Sequence, residues 1–207
     1  MKIKMEKSES EYVSEDRTIF GYFLPLNTLN ISLIAIFSAL ICVLTFFIVI
    51  PVPVTQGFIN IGDAGVMIAG ILFGPIIGGF AGGIGSMLGD IILGYNLYAP
   101  GTLVIKGLEG FLVGLIADPK RSIKKVDFRD VAGVVIGGLI MVFGYLVYEI
   151  FIFGVPAALY EFFLNGLIQF TIGVSVSLLF AFSIRKNLFE ALPQVFKKVF
   201  IEKSPSD

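Results

Sequence analysis

The stretch from Ile59 to Gly114 constrains this chain more than any other. It is apolar over the length of several membrane crossings, punctuated by glycines and one Gly74-Pro75 step, and it holds four charges: Asp63, Asp90, Lys106 and Glu109. A charge in a hydrocarbon-length segment costs about 3 kcal/mol on insertion scales, so ionisable residues there mark functional sites by default. The stretch reads as three helices of a membrane protein that carry part of a solute-binding site.

Composition agrees. Hydrophobic residues make up 56% of the 207 and charged ones only 15%, with a mean hydropathy of +0.92, which places the chain among polytopic membrane proteins with one integral domain. The single cysteine, Cys42, cannot form an internal disulfide or a thiolate metal site and reads as a small packing residue. Histidine is absent, which counts against zinc-dependent proteolysis, Ser-His hydrolysis and nickel or cobalt binding. No cofactor, metal or nucleic-acid partner is expected. The first 28 residues are polar and charged, so no cleavable signal peptide is expected.

Along the chain, residues 1–28 read as a solvated, partly disordered tail, with Gly21 to Leu26 along the interface. Leu29 to Ile50 has no charge and, at about 1.5 Å per residue, is long enough for a roughly 30 Å hydrocarbon core. Pro51 and Pro53 end that helix, and PVPVTQGFIN reads as a loop. Spans are then expected over 62–74 and 76–94, joined by Gly74-Pro75 into an antiparallel hairpin. Further spans follow over 102–117, with Thr102 a candidate cap, 131–153 and 159–184. From Arg185 to Asp207 a basic amphipathic cytoplasmic tail is expected.

In the third span the pairs Gly78 and Gly82, Gly79 and Gly83, and Gly85 and Gly89 are spaced by four. Such spacing allows close backbone contact between helices, and packing is the favoured reading over space left for a ligand. Basic residues decide orientation. Lys2, Lys4, Lys7 and Arg17 precede the first span, Lys120, Arg121, Lys124, Lys125 and Arg129 occupy the fourth connection, and Arg185, Lys186, Lys197, Lys198 and Lys203 follow the last. The other connections have none, so the expected fold is an all-α integral membrane protein of six transmembrane helices with both termini cytoplasmic.

That topology gathers polar residues in the outer half of the bundle. Asn60 and Asp63 lie at the start of the second span, Asp90 at the end of the third, Lys106 and Glu109 in the fourth and Glu149 at the end of the fifth. Glu161, Asn165 and Gln169 are spaced by four, forming one polar stripe. Together they read as a pocket open to the exterior. Two readings fit Lys106 and Glu109, a mutual pair or solute contacts; for Asp63, beside Asn60, capping is favoured, and Asp90 is either a solvated terminus or a ligand contact. Among the rings near the outer face, Phe58, Tyr95, Tyr98, Tyr148 and Tyr160 are candidates for stacking.

Two segments, FINIGDAGVMIAGILFGPIIGGFAGGIGSMLGD and YAPGTLVIKGLEGFLVGLI, with Ala35-Ile36-Phe37-Ser38-Ala39 in the first span, resemble the substrate-binding S component of energy-coupling factor (ECF) vitamin transporters, of the riboflavin type. The resemblance covers about Leu29 to Ile184. It implies high-affinity capture of a vitamin and docking, through the AxxxA face of Ala35 and Ala39, on a transmembrane coupling subunit driven by two cytoplasmic ATPases. It also implies a toppling motion in the bilayer. Small residues spaced by four give a partner helix a flat groove, and the chain has no GxxxxGK[ST] phosphate loop of its own. Riboflavin is the first expectation for the substrate, a pyridoxine-like compound or pyrimidine precursor the next. A stand-alone ion-coupled carrier, using Asp63, Asp90, Lys106 and Glu109 as a relay, is the alternative, although no inverted repeat is evident. A membrane enzyme or its accessory subunit is a remote third, since no clustered carboxylate motif or nucleophile and base pair is visible.

Overall fold

The computed structural model describes residues 18–23, 28–121 and 126–199; the expectations for most of the N-terminal tail, for Lys124 and Lys125 and for the last residues lie outside them. A two-residue hairpin, β1 (Thr18–Ile19) and β2 (Tyr22–Phe23), precedes α1 (Thr28–Phe47). A second hairpin follows, β3 (Ile50–Val52) with β4 (Gly57–Ile59), in the register Ile50 to Ile59 and Val52 to Gly57. The remaining helices are α2 (Gly62–Leu93), α3 (Ala99–Ala117), α4 (Phe128–Phe153), α5 (Val155–Glu161), a π-helical turn (Phe162–Gly166), α6 (Leu167–Ala191) and α7 (Pro193–Val199). Among the described residues, five helical segments are long and apolar enough to cross a membrane, the last of them Val155–Ala191.

The expected pair of segments joined at Gly74-Pro75 forms the two limbs of α2, which meet where Gly74 takes φ 82° and ψ −170°. The break reverses the chain. Positions eight and sixteen residues apart face each other across it, so that a Cβ on Gly78 would lie 2.7 Å from Gly70 Cα and one on Gly82 2.7 Å from a methyl of Val66. Helix α3 lies against both limbs, and glycine makes that possible: added Cβ atoms at Gly83, Gly110 and Gly114 would lie 2.6 Å from Leu103 O, 2.2 Å from Gly78 O and 2.2 Å from the Gly74 carbonyl carbon. Without a hydrophobic force between helices in lipid, contact at backbone distance supplies the attraction. The packing reading of these glycines therefore holds.

Helix α1 adds to the other side of α2. Its buried residues Asn30, Ser38, Ile41, Cys42 and Thr45 form a stripe at helical spacing, and Ser38, Ile41 and Thr45 fill the space left by Gly85 and Gly89. Ala35, Ile36, Ala39 and Leu40 face outward.

Several boundaries differ from expectation. The PVPVTQGFIN segment is the β3–β4 hairpin and not an irregular loop, with Gln56 at φ 55° in its turn. Helix α3 begins at Ala99, with Pro100 in its first turn and Tyr98 at the N-cap, so Thr102 does not cap it. The last span begins at Val155, includes the π turn and continues past Ile184 to Ala191. Arg185 is consequently no tail residue: it is 1% exposed and its Nη1 donates to Asp130 Oδ2 at 2.7 Å.

The end of the bundle near Gly74 is the charged one. Tyr22 sits under Gly74 and donates its hydroxyl to Asp118 Oδ1 at 3.0 Å; burial, reinforced by the Asp118 carboxylate, pushes that hydroxyl well above the usual tyrosine range. Asp118 also accepts from Arg121 at 3.0 Å and lies 3.5 Å from Lys120. A capping box of Asp127 and Asp130 starts α4, and Phe196 of α7 stacks on Phe73.

Gly114→Ala would force the α2 turn and α3 apart, a backbone clash that nothing flexible can absorb, and is expected to destabilise the purified protein by about 1–3 kcal/mol or more. Gly94→Ala, at φ 84° but with nothing within 4 Å, carries only the left-handed backbone penalty of about 1 kcal/mol. Thermal unfolding of the two variants in detergent checks the difference.

Candidate functional site

At the opposite end from Gly74, β4, the end of α2, the start of α3, α4 and the π turn surround a narrow cavity of about 40 Å³. Gly57, Phe58 and Asn60 form one wall, Asp90, Tyr98 and Thr102 a second, Met141, Val142, Tyr145, Leu146 and Glu149 a third, and Glu161, Phe162, Asn165, Gly166 and Gln169 the last. The π turn has a local consequence. It adds a residue to one helical turn beside Glu161 and Asn165, which bond to the β3–β4 hairpin, and such turns recur at functional sites.

Side-chain bonds tie the hairpin across the top. Thr55 Oγ1 donates to Glu161 Oε2 at 2.7 Å, and Asn165 Nδ2 donates to Glu161 Oε1 at 2.6 Å and to Phe58 O at 3.2 Å. The Asn60 N–H donates to Gln169 Oε1 at 2.7 Å. Tyr98 donates its hydroxyl to Thr55 O at 3.0 Å and lies 3.4 Å from Glu149 Oε1. Deeper in, the hydroxyls of Thr102 and Tyr145 are 2.8 Å apart. Asp90 Oδ2 and Asn165 Oδ1 are buried with no hydrogen-bond partner among the described residues. An unpaired acceptor in that position is costly unless something else donates to it.

The structure divides the expected site residues. Asn60, Asp90, Tyr98, Glu149, Glu161, Asn165 and Gln169 line the cavity. Asp63, Lys106 and Glu109 do not: they form a buried ion cluster beneath it, with Lys106 Nζ paired to Asp63 and 3.2 Å from Glu109 Oε2. Asp63 is thus not a cap. The helix begins after Ile61, and Asn60 Oδ1 accepts the Gly62 N–H at 2.8 Å. Tyr95 packs on Phe58 with ring centroids 4.4 Å apart and lines a separate shallow hollow with Gln56 and Phe153. Tyr148 is spent on Leu97 O at 2.6 Å, and Tyr160 is exposed.

Thr102 and Tyr145 are cavity residues that sequence reasoning did not assign to the site. The signal existed for the second, because Met141, Tyr145 and Glu149 are spaced by four and share one face of α4. Through Tyr145 the ion cluster touches the cavity, since Lys106 Nζ lies 5.5 Å from that ring's centroid.

The ion cluster makes a prediction of its own. Lys106→Met strands two buried carboxylates and is expected to cost about 3–5 kcal/mol, read as a lower unfolding temperature. Lys106→Met with Glu109→Gln still strands Asp63, so recovery requires the triple change that adds Asp63→Asn.

The pattern characteristic of the family described as "ECF-type riboflavin transporter, S component" matches residues 25–186. An uncharacterized protein of Pyrococcus woesei is 40% identical over 66% of this chain and 88% of its own length. A thiamine precursor transporter, HmpT, of Lactococcus lactis is 31% identical over 57% of this chain and 69% of its own length. A UPF0397 protein of Streptococcus pneumoniae is 37% identical over 40% of this chain, which spans less than half, 45%, of that relative. The match covers all the cavity walls and every long helix except the final turn of α6, and so this chain, a non-enzymatic transport protein of the membrane, belongs to the family of S components of ECF-type riboflavin transporters.

Proposed function

We propose that this chain is the substrate-specific binding subunit of an ATP-driven ECF importer and takes up a vitamin or vitamin precursor from outside the cell through the cavity between β4, α3, α4 and the π turn. The observation that carries this reading is the character of that cavity. It combines ring faces with convergent polar groups, and two buried acceptors in it, Asp90 Oδ2 and Asn165 Oδ1, lack partners. Rings with a few convergent polar groups are the composition of a small-molecule site.

In this reading both limbs of α2 count as spans, giving six, with the cavity outward and both termini in the cytoplasm of a plasma-membrane protein. The gathering of Lys120, Arg121, Arg129 and Arg185 at the end opposite the cavity supports that orientation. The first limb, of about 18 Å by helical rise, is shorter than a ~30 Å core, and the buried strand β4 completes its path to the surface. Ala35 and Ala39, exposed on α1, offer the flat face for the coupling subunit, which works with two ATPases. Riboflavin is the substrate the family description names, while the likeness to a thiamine precursor transporter supports a pyrimidine precursor, with a pyridoxine-like compound also accommodated. The internal pairing of Asp63, Lys106 and Glu109 speaks against their use as an ion relay in a stand-alone carrier.

Native mass spectrometry of the gently solubilised chain is expected to release a stoichiometric heterocycle; an empty protein that drives gradient-dependent uptake alone would overturn the proposal. Asn165→Leu is expected to weaken solute binding about 10- to 100-fold without lowering expression, as measured by titration calorimetry. Leu at both Ala35 and Ala39 is expected to abolish uptake in cells while the purified chain still binds solute.

A further inference from the structure

The charges of the cavity wall are all of one sign. Asp90, Glu149 and Glu161 line it, and among the described residues no Lys or Arg does. The nearest ammonium, Lys106, is committed to Asp63 and Glu109 and meets the cavity only through the Tyr145 ring. Both Glu161 oxygens are taken, by Thr55 and Asn165, whereas Tyr98, 3.4 Å from Glu149, spends its one proton on Thr55 O at 3.0 Å. Buried and open besides are Asp90 Oδ2, on a residue 4% exposed, and Asn165 Oδ1, on a residue 7% exposed. Both are acceptors.

We propose that this cavity selects heterocyclic amines that carry a positive charge, with Asp90 as their counter-ion and Asn165 Oδ1 as a second acceptor, and that it rejects phosphorylated or carboxylated analogues. The inference rests on the reading of this chain as a solute-binding subunit. A donor-bearing cation satisfies the two open acceptors with charge-assisted hydrogen bonds. It also offsets carboxylates that otherwise repel one another in a site of low dielectric. The rings of Phe58, Tyr98 and Tyr145 are among the cavity's lining, and aromatic rings attract cations. An anion finds neither a donor-rich wall nor a counter-charge there.

The test is a titration of the purified, full-length chain with four probes: an aminomethylpyrimidine, the uncharged hydroxymethylpyrimidine, the phosphate ester of the latter, and riboflavin. The amine is expected to bind about 10- to 100-fold more tightly than the alcohol, the scale of one hydrogen bond to a charged group, and the ester to show no saturable binding. Asp90→Asn is expected to erase the preference for the amine with little effect on the alcohol, and Asp90→Glu to keep part of it. Thermal unfolding shows which variants are folded, and the wild-type panel decides the matter if Asp90→Asn is not. Equal binding of amine and alcohol, tighter binding of riboflavin, or an undiminished preference in folded Asp90→Asn overturns the charge assignment and leaves the binding-subunit reading intact. If no probe binds, the charge of any small molecule released from the protein decides: a cation supports the proposal, and a neutral or anionic compound overturns it. A folded protein that binds no probe and releases nothing overturns both readings.

Discussion

Backbone contact between α3 and the folded-back α2 is the constraint on which the other features depend. Lipid chains are as apolar as leucine side chains, so helices in a bilayer gain little from burying hydrophobic surface and must gain from proximity. Here that proximity comes from glycines aligned on both elements. Gly110 and Gly114 of α3 meet Gly78 and Gly74 of α2 at distances where no Cβ fits. The left-handed break at Gly74 lets α2 return along itself, and Tyr22 seals the turn from the charged end.

This rigid layer positions the site. It fixes Asp90 at the end of α2 beside the start of α3, and it buries Asp63, Lys106 and Glu109 as an ion cluster under the cavity floor. The other half of the cavity comes from less regular elements: a short β hairpin, the π turn and the polar stripe on which Glu161, Asn165 and Gln169 lie. These are held to one another by side-chain hydrogen bonds and less by close packing. The division matches a binding protein's needs, since the packed half gives a fixed floor and the hydrogen-bonded half has bonds that a solute can exchange for its own.

Much of this was legible in the sequence. The uncharged run of α1, the Gly74-Pro75 reversal, the glycine spacing and the i, i+4 order of Glu161, Asn165 and Gln169 are local patterns, and each follows from helix geometry or from the cost of charge in hydrocarbon. The convergence of polar residues at one end followed from counting basic residues in the connections. The β3–β4 hairpin was not legible, because Pro51 and Pro53 mark a helix end equally well with or without strands after it. Nor was the burial of Arg185, whose partner Asp130 lies on another helix.

The sequence by itself determined a membrane-embedded bundle with a polar half, because hydropathy and periodicity act residue by residue along the chain. Only the tertiary structure decided which polar residues meet a solute and which meet each other. Lys106 and Glu109 are three residues apart, and the sequence left open whether they pair or bind; Asp63, brought beside them by the fold-back of α2, decides for the ion cluster. Asp90 Oδ2 and Asn165 Oδ1 stay open for the same reason, since the hydroxyls of Thr55 and Tyr98 and the Asn60 amide are used on other atoms and the Thr102 hydroxyl is engaged with Tyr145. Pairing of charges is a property of distance in space, and the chain sets that distance only when it has folded.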